Sequence, residues 1–358
     1  GVIISHAHLD HYWLAGYVHP SVPVWTGEAT HALISLTSLF TGQQVTIPAS
    51  RFFRRQEPFH IGDLVITPYG MDHSAFDTCA FHITNGHRSL FYTGDFRSHG
   101  RKSKVFYWFL ANAPAPVDCL LLEGTNVGQP AKSLKTETWI EEELAALFRE
   151  TGKIVLVCAS GQNIDRLVSV SRACMKTGRT LAVDVYAVNV LETLAPYAKI
   201  PRPTGDYPNL RVFFPFRLTG ILADKRLDAL YKPFRSFKVT KKEIAANPGR
   251  FVMMVRPSMQ GDLERIAGID GGTLVWSQWN GYKTRPGVQP FLAHLAGRGF
   301  TTVDLHTSGH GGVRTLRQLA DALKPSVIMP IHTQHSSAYH KLLNWPVVEV
   351  PDKEVREV

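Results

Sequence analysis

Cysteine is scarce in this sequence, and long apolar runs are absent. The four cysteines among 358 residues stand far apart and form no Cys-x-x-Cys pair: Cys79, Cys119, Cys158 and Cys174. Disulfide frameworks are denser and structural zinc sites place their ligands closer together, so we expect reduced, mostly buried thiols in a cytoplasmic protein. No stretch approaches the ~20 uninterrupted apolar residues of a membrane span, which argues against a membrane partner.

An initiating Met is also missing. The chain opens with the apolar residues Gly1-Val2-Ile3-Ile4, which meet His6 too soon to form a signal peptide. The segment is instead typical of a buried strand. We therefore expect the sequence to be an N-terminally truncated fragment of a longer reading frame.

The overall composition indicates a globular protein with a basic excess. Hydrophobic residues make up 44% and charged residues 19% of the chain. Because 358 residues exceed what one core usually holds, we expect two domains. The net charge of +9 favours polyanionic partners such as nucleic acid, although many basic proteins bind none.

Short apolar runs alternate with segments of helical spacing. Seven runs predict buried strands: 2–5, 64–69, 90–93, 119–122, 154–158, 181–185 and 327–331. Three segments predict helices: 138–150, 163–176 and 313–323. Gly152 and Gly178 follow the first two helices as expected C-caps. The alternation predicts an α/β class with helices packed on sheets.

The histidines divide the chain into three parts. Ten of the sixteen lie between His6 and His99, six lie between His294 and His340, and none lies in between. This distribution is typical of a metal-binding domain that is interrupted by an inserted domain.

The strongest motif is His6-Ala7-His8-Leu9-Asp10-His11. At strand spacing His6 and His8 point to one side, and a turn toward a helix brings Asp10 and His11 to a neighbouring point. One short segment can thus serve two metal ions. Three further candidates each follow a predicted strand, where an α/β sheet usually places its sites: His73, Asp95 and His332.

These residues resemble the metal ligands of the metallo-β-lactamase superfamily, and most of all those of its β-CASP nucleases such as bacterial ribonuclease J. The resemblance implies an αββα sandwich with an inserted α/β β-CASP domain. The expected limits are 1–155 and 291–358 for the sandwich and 156–290 for the insert. The strands that usually precede the first metal motif are missing from this sequence.

The resemblance also implies how metal is held. One zinc would be bound by His6, His8 and His73, and the other by Asp10, His11 and His332. Asp95 and a hydroxide would bridge the two ions. Manganese is the alternative ion for such ligands.

Two further motifs bear on the substrate. Glu123 ends a predicted strand, and Thr307-Ser308-Gly309-His310 is similar to the family's second extra motif. The resemblance implies that Glu123 orients His310, that His310 protonates the leaving oxygen, and that Ser308 contacts the substrate. Asp10 completes the expected catalytic residues. His332 stands where members that act on RNA carry His and members that act on DNA carry Val.

The middle of the chain resembles the β-CASP insert more loosely. It supplies four candidate substrate-binding residues: Ser160, Asn163, Ser258 and Gln260. Asp165 stands where the family has His, which puts recognition of a 5′-phosphate in doubt. Helix caps and turns explain these polar residues equally well. The basic run 231–242 contains aromatic residues, and it is predicted either to bind unpaired RNA or to form a solvated surface.

We therefore predict a zinc-dependent ribonuclease, acting as an endonuclease, a 5′-exonuclease or both, with single-stranded RNA as its partner. A homodimer is compatible with the sequence but has no support in it. One alternative is a hydrolase of a small ester, thioester or lactone, because the same metal ligands would serve that chemistry. The other is a non-catalytic RNA-binding relative, against which the complete ligand set argues.

Overall fold

The chain forms two compact units, each continuous in space. The structure, a computed structural model, describes residues 1–42, 45, 47, 51–129, 134–351 and 353–357. The first unit comprises Gly1–Lys135 and Ser308–Val358, and the second comprises Thr136–Thr307. Along the sequence, the second unit is therefore inserted into the first.

Strands and helices alternate along most of the described chain. The strands are β1 (Val2–Ile3), β2 (Val24–Thr26), β3 (Arg51–Phe52), β4 (Phe59–Ile61), β5 (Leu64–Gly70), β6 (Cys79–Thr84), β7 (Ser89–Tyr92), β8 (Cys119–Glu123), β9 (Val155–Cys158), β10 (Thr180–Asp184), β11 (Leu210–Phe213), β12 (Lys238–Val239), β13 (Phe251–Val255), β14 (Thr273–Trp276), β15 (Thr301–Asp304) and β16 (Val327–Ile331). The α-helices are α1 (Leu9–Tyr12), α2 (Glu28–Thr41), α3 (Ser103–Ala111), α4 (Glu137–Glu150), α5 (Ile164–Thr177), α6 (Val185–Leu194), α7 (Phe216–Asp224), α8 (Lys241–Ala246), α9 (Gln260–Leu263), α10 (Gln289–Gly297), α11 (Val313–Leu323) and α12 (Tyr339–Leu342). Over the described ranges, no helix combines the length and the apolarity that crossing a bilayer requires.

The first unit is built on a six-stranded sheet and a three-stranded sheet. The larger sheet has the order β16-β8-β7-β6-β5-β4, with β7, β8 and β16 parallel, and the smaller parallel sheet has the order β1-β2-β3. Apolar side chains of α11 recur at helical spacing and pack on β8 and β16 in one core cluster. A second cluster joins Ile66 and Phe81 of the larger sheet to Ile3 and Trp25 of the smaller one.

The second unit contains a seven-stranded, fully parallel sheet of order β12-β11-β10-β13-β9-β14-β15. All residues of β9, β10, β13 and β14 are buried. Continuously apolar strands of this kind are typical of parallel sheets that are covered on both faces. The predicted α/β class is confirmed.

The compact units differ in extent from the expected limits 1–155, 156–290 and 291–358. Helix α4 belongs to the second unit because its buried Glu137 binds the guanidinium of Arg166 on α5, with Nη2 3.1 Å from Oε1. Ser169 on α5 donates to the same carboxylate at 2.9 Å. At the other end, β15 pairs with β14 and thereby also joins the second unit. The identification of this unit as a β-CASP domain stays a prediction.

The four thiols should resist modification in the native protein. All four cysteines are free and buried, and burial raises the pKa of Cys79 and Cys158 to about 12 and that of Cys119 to about 11. Because only a thiolate reacts readily, we expect negligible reaction with a thiol-reactive dye at neutral pH and reaction of all four in denaturant. Rapid labelling of any one cysteine in the folded protein would contradict this.

Candidate metal centre

The first metal motif turns from strand to helix, as the sequence predicted. His6 lies buried just after β1, and His8 is the residue that precedes α1. Asp10 and His11 lie within that short helix, and the amide of His11 donates to the carbonyl of His8 at 3.0 Å. The change of backbone conformation brings all four side chains to the same end of the unit.

The remaining candidates follow the carboxyl ends of strands in the larger sheet. His73 comes after β5, Asp95 after β7 and His332 after β16. Because β7, β8 and β16 are adjacent and parallel, their carboxyl ends meet at one edge of the sheet. Gly94 and His332 adopt positive φ angles of 53° and 52° at these strand ends, which turns the chain sharply there.

Asp95 is at the centre of the cluster. The structure brings together the two expected ligand sets, namely His6, His8 and His73 with Asp95, and Asp10, His11 and His332. Oδ2 of Asp95 lies 3.6 Å from Nε2 of His6 and 3.1 Å from Nε2 of His11. Its Oδ1 lies 3.7 Å from Nδ1 of His332. A carboxylate between two sets of imidazoles can contact an ion on each side.

The spacing between donor atoms suits small divalent ions. Two atoms bound tetrahedrally to one zinc at about 2.0–2.1 Å stand about 3.4 Å apart. In the first set, Nε2 of His73 lies 3.1 Å from Nδ1 of His8 and 3.8 Å from Oδ2 of Asp95. In the second set, Oδ2 of Asp10 lies 3.5 Å from Nε2 of His332. The two distances in the first set therefore bracket the value expected for ligands of a common ion, and the distance in the second set lies close to it.

Hydrogen bonds on the outer side of the imidazoles leave the inner nitrogens free to bind metal. Nδ1 of His73 donates to the carbonyl of Gly309 at 2.6 Å, so Nε2 keeps its lone pair. Thr125 Oγ1 lies 2.8 Å from Nδ1 of His332 and Ser5 Oγ lies 3.0 Å from Nδ1 of His6. Such outer partners fix the tautomer of a metal-binding histidine.

The protonation states of the three histidines in the first set also suit metal binding. Burial, followed by the neighbouring imidazoles, holds the pKa of His6 and His73 well below 6.5, and burial lowers that of His8 to about 4. These rings are therefore neutral at pH 7, as a metal ligand must be. Among the described residues, the buried atoms His6 Nε2 and Asp95 Oδ1 lack a hydrogen-bond partner. Since buried polar atoms are normally satisfied, these observations fit a pair of resident cations.

His310 and Glu123 lie beside the ligand sets. Nδ1 of His310 is 3.4 Å from Oε1 of Glu123, and its ring lies 5.2 Å from that of His73 and 5.6 Å from that of His332, between centroids. Burial lowers the pKa of His310, but the carboxylates of Glu123 and Asp95 together raise it, and the net shift is upward. His310, Glu123, Asp95 and His332 also lie close enough to form a third potential metal group, so this geometry alone is compatible with either a proton donor or a ligand.

A network that the sequence did not reveal holds the segment carrying His310. The side-chain amide of Asn126 donates to the carbonyl of His310 at 2.8 Å and to Oγ of Ser308 at 3.1 Å. The fully buried Arg97 donates to the carbonyl of Ser308 at 2.9 Å. A Cβ at position 309 would stand 3.1 Å from the ring of His73, so this close approach favours glycine. The hydroxyl of Ser308, an expected substrate contact, thus accepts a hydrogen bond from Asn126.

The four other expected substrate-binding residues lie in the second unit. Ser160 and Asn163 follow β9, and Ser258 and Gln260 follow the adjacent parallel strand β13, so both segments lie at one edge of that sheet. Their side chains make local contacts: Asn163 caps α5 by accepting from Arg166 N at 3.1 Å, and Ser160 accepts from Gln162 N. Substrate binding by these residues stays a prediction.

Two of the three aromatic residues of the basic run 231–242 pack inward. Tyr231 and Phe234 are buried, and Phe234 lies in a turn of 3-10 helix. The hydroxyl of Tyr231 donates to Asp228 at 2.5 Å. The interpretation of these two rings as contacts for unpaired bases was wrong, because they pack inward.

Metal-free protein should be most stable near pH 6.5. Below that pH the unfolded chain binds more protons than the native state at His6, His8 and His73, so stability falls as acid is added. His332 changes the stability in the opposite direction. Its hydrogen bond with Asp10 raises its pKa to about 9, so its contribution is fully present below pH 6.5 and is lost as the pH rises through 9. Denaturant unfolding of chelated protein across this range checks the prediction, and a stability that rises steadily from acid to alkali would contradict it.

Sequence comparisons connect the chain to a known superfamily and to curated relatives. A family described as the beta-lactamase superfamily domain matches residues 1–158. Ribonuclease J from Sinorhizobium meliloti is 24% identical over 360 residues, which cover 95% of this chain and 59% of the relative. Ribonuclease J from Helicobacter pylori strain J99 is 22% identical and covers 99% of this chain and 50% of the relative. Ribonuclease J 1 from Streptococcus pyogenes is 20% identical over 93% of this chain and 58% of the relative. The chain therefore spans about half the length of these relatives.

A solved structure shares the fold. A protein of unknown function from Enterococcus faecalis V583 aligns with a TM-score of 0.77 and 18% identity, covering 98% of this chain and 79% of that protein. Residues 1–158 thus match the beta-lactamase superfamily domain, and over most of its length the chain is similar, at 20–24% identity, to proteins named ribonuclease J.

Proposed function

We propose that this protein is a metal-dependent ribonuclease that hydrolyses phosphodiester bonds in single-stranded RNA. The observation that carries the proposal is the continuity of two ligand sets around Asp95 with the Glu123–His310 pair beside them. Homology to proteins named ribonuclease J supports the choice of substrate. Two zinc ions are the proposed cofactors, with manganese as the alternative, and the second unit is proposed to be a β-CASP domain.

The proposed metal ligands and the Glu123–His310 pair have different chemical roles. When bound, divalent ions lower the pKa of water from about 15.7 toward about 7 and oppose the charge that builds on phosphoryl oxygens. Asp95 and the neutral imidazoles supply the negative charge and lone pairs that hold such ions. Glu123 accepts from Nδ1 of His310 and raises the pKa of the ring, which favours its protonated form, and His310 delivers a proton from its ring to the leaving oxygen.

The carboxylate of Glu123 is itself held in place. Its Oε2 accepts from the amide of Thr125 at 2.9 Å and its Oε1 from the amide of Phe96 at 3.4 Å. The residue is fully buried. A buried carboxylate with fixed partners can orient an imidazole without itself moving, which is what a proton donor requires.

The charge of the second unit agrees with an RNA substrate. Residues 136–307 contain 23 Lys and Arg against 16 Asp and Glu, a net charge of +7 out of +9 for the chain. Such an excess attracts a polyanion without reading its sequence. We propose that Ser160, Asn163, Ser258 and Gln260 belong to the RNA-binding surface of this unit.

The test is cleavage of a 5′-labelled single-stranded RNA by metal-loaded protein, chelated protein and an Asp10→Ala variant. We expect cleavage by the loaded wild type alone, because Asp10 lies 3.5 Å from His332 in the second ligand set. The product ladder distinguishes endonucleolytic from 5′-exonucleolytic action. Intact RNA beside two bound metal ions per folded chain would overturn the proposal, and hydrolysis of a panel of esters, thioesters and lactones would then identify a small-molecule hydrolase.

A further inference from the structure

An exposed group of aromatic and basic side chains follows β14 in the second unit. The indole of Trp279 is 60% exposed, although large apolar side chains are usually covered. Its ring meets that of Tyr282 edge to face, with centroids 5.4 Å apart and an interplanar angle of 90°. The guanidinium of Arg285 lies 3.9 Å from the centre of the Tyr282 ring. We call Trp279, Tyr282 and Arg285 the aromatic platform.

The platform is fixed in place from beneath. A Cβ at position 281 would stand 2.2 Å from the benzo ring of Trp279, so the indole rests directly on the backbone of Gly281. Tyr282 is partly buried and packs against the core of the second unit. Its amide donates to the carbonyl of Trp279 at 3.1 Å, which closes a turn of 3-10 helix. The indole is therefore held on one side and open to solvent on the other.

A single exposed apolar side chain is ordinary on a protein surface and calls for no explanation. Trp108 on α3 is such a case: it is 42% exposed, and within the described residues it has neither an aromatic nor a cationic partner. Trp279 differs because its orientation is fixed and a guanidinium lies nearby. Arg285 is exposed and, within the same described ranges, has no carboxylate partner.

The place of the platform in the sheet points to a ligand. β14 is an inner strand of the parallel sheet, between β9 and β15, and the platform follows its carboxyl end. Ligands of open α/β sheets bind outside the carboxyl ends of the strands. A flat apolar face beside an unpaired cation matches the two chemical parts of a nucleotide, namely a base that stacks and a phosphate that is anionic.

We propose that the open face of Trp279 stacks an unpaired base of single-stranded RNA, with Arg285 beside the adjoining phosphate. This inference rests on the proposed function, since it names a contact for the same substrate. The charge of +7 on residues 136–307 supplies the long-range attraction, and the indole supplies a contact that any base can use. The site would hold RNA without selecting its sequence.

The test measures affinity in the absence of cleavage. Chelated protein is titrated against a fluorescent oligouridylate, and against an abasic oligoribonucleotide of the same length and charge. We expect Trp279→Ala to weaken binding of the oligouridylate by about 5- to 20-fold, as loss of one stacked base implies, and to leave binding of the abasic strand unchanged. Trp279→Tyr should restore most of the affinity, because a phenol ring also stacks.

Trp108→Ala is the matched control, and it should bind both strands as the wild type does. An equal loss of affinity for both strands, or no loss for either, would overturn the stacking proposal. The aromatic platform would then be a candidate contact for a protein partner. The result is separable from that of the cleavage test. Cleavage by the wild type without a base-dependent loss overturns stacking alone, whereas a base-dependent loss in a protein that cuts no RNA supports stacking and overturns the nuclease.

Discussion

Asp95→Asn should remove most of the bound metal and reduce RNA cleavage to background. Asp95 lies between the two ligand sets, 3.6 Å from His6 through Oδ2 and 3.7 Å from His332 through Oδ1. An amide keeps the shape of the side chain but loses the negative charge that offsets two cations. Because Asp95 faces both sets, we expect zinc content to fall from about two ions per chain to less than one.

The measurement is metal content by elemental analysis together with the cleavage rate. Asp63→Asn is the control, since Asp63 is exposed in the turn between β4 and β5 and its change should leave both quantities unaltered. Because Asp95→Asn preserves the size and shape of the side chain, the variant should still fold. A variant that keeps two ions and full activity would show that Asp95 is not a bridging ligand.

His310→Gln should lower the cleavage rate by about 10²- to 10⁴-fold while the metal content stays unchanged. That range is typical of the loss of a general acid. His310 contacts Glu123 and stands against both His73 and His332, yet it lies outside the two sets that surround Asp95. The effect should appear in kcat, because a proton donor acts on the leaving oxygen and not on binding.

Metal content decides between the two roles that the geometry allows for His310. Loss of an ion from His310→Gln would make it a ligand and overturn its assignment as proton donor. His60→Gln is the control, because the side chain of His60 is exposed on β4. Glu123→Gln provides a second criterion: without the carboxylate the pKa of His310 should fall, so the alkaline limb of the pH profile of kcat should move to lower pH. If the pH profile of kcat does not move, Glu123 has no role in the proton transfer.

Local patterns predicted the strands beside the candidate metal centre. The runs 64–69, 119–122 and 327–331 became β5, β8 and β16 within one residue, because a buried strand needs a continuous apolar run and a polar residue marks its end. Gly178 ends α5 with a φ of 68°, as expected. Gly152 does not cap α4, since Thr151 ends that helix in an extended conformation.

Those local sequence patterns could not predict long-range contacts. Nothing in the sequence indicates that Arg97 is fully buried and bonded to Ser308, 211 positions away. An amphipathic helix such as α4 shows an apolar face but does not say which core that face joins. For the same reason the burial of Tyr231 and the exposure of Trp279 could not be read from composition. Charge and aromatic content identify candidate contacts, and only packing decides which of them reach solvent.

The contact between His73 and Gly309 joins residues 236 positions apart, and this separation has a consequence during synthesis. At about 5–20 residues per second, a ribosome needs roughly 10 to 50 s to make the intervening chain. From the synthesis of Asp95 until the end of that interval, the nascent protein holds the proposed ligands from His6 to Asp95 but neither His310 nor His332. If the proposed function is correct, the nascent protein would bind a first ion long before it could cut RNA, including the message from which it is being translated.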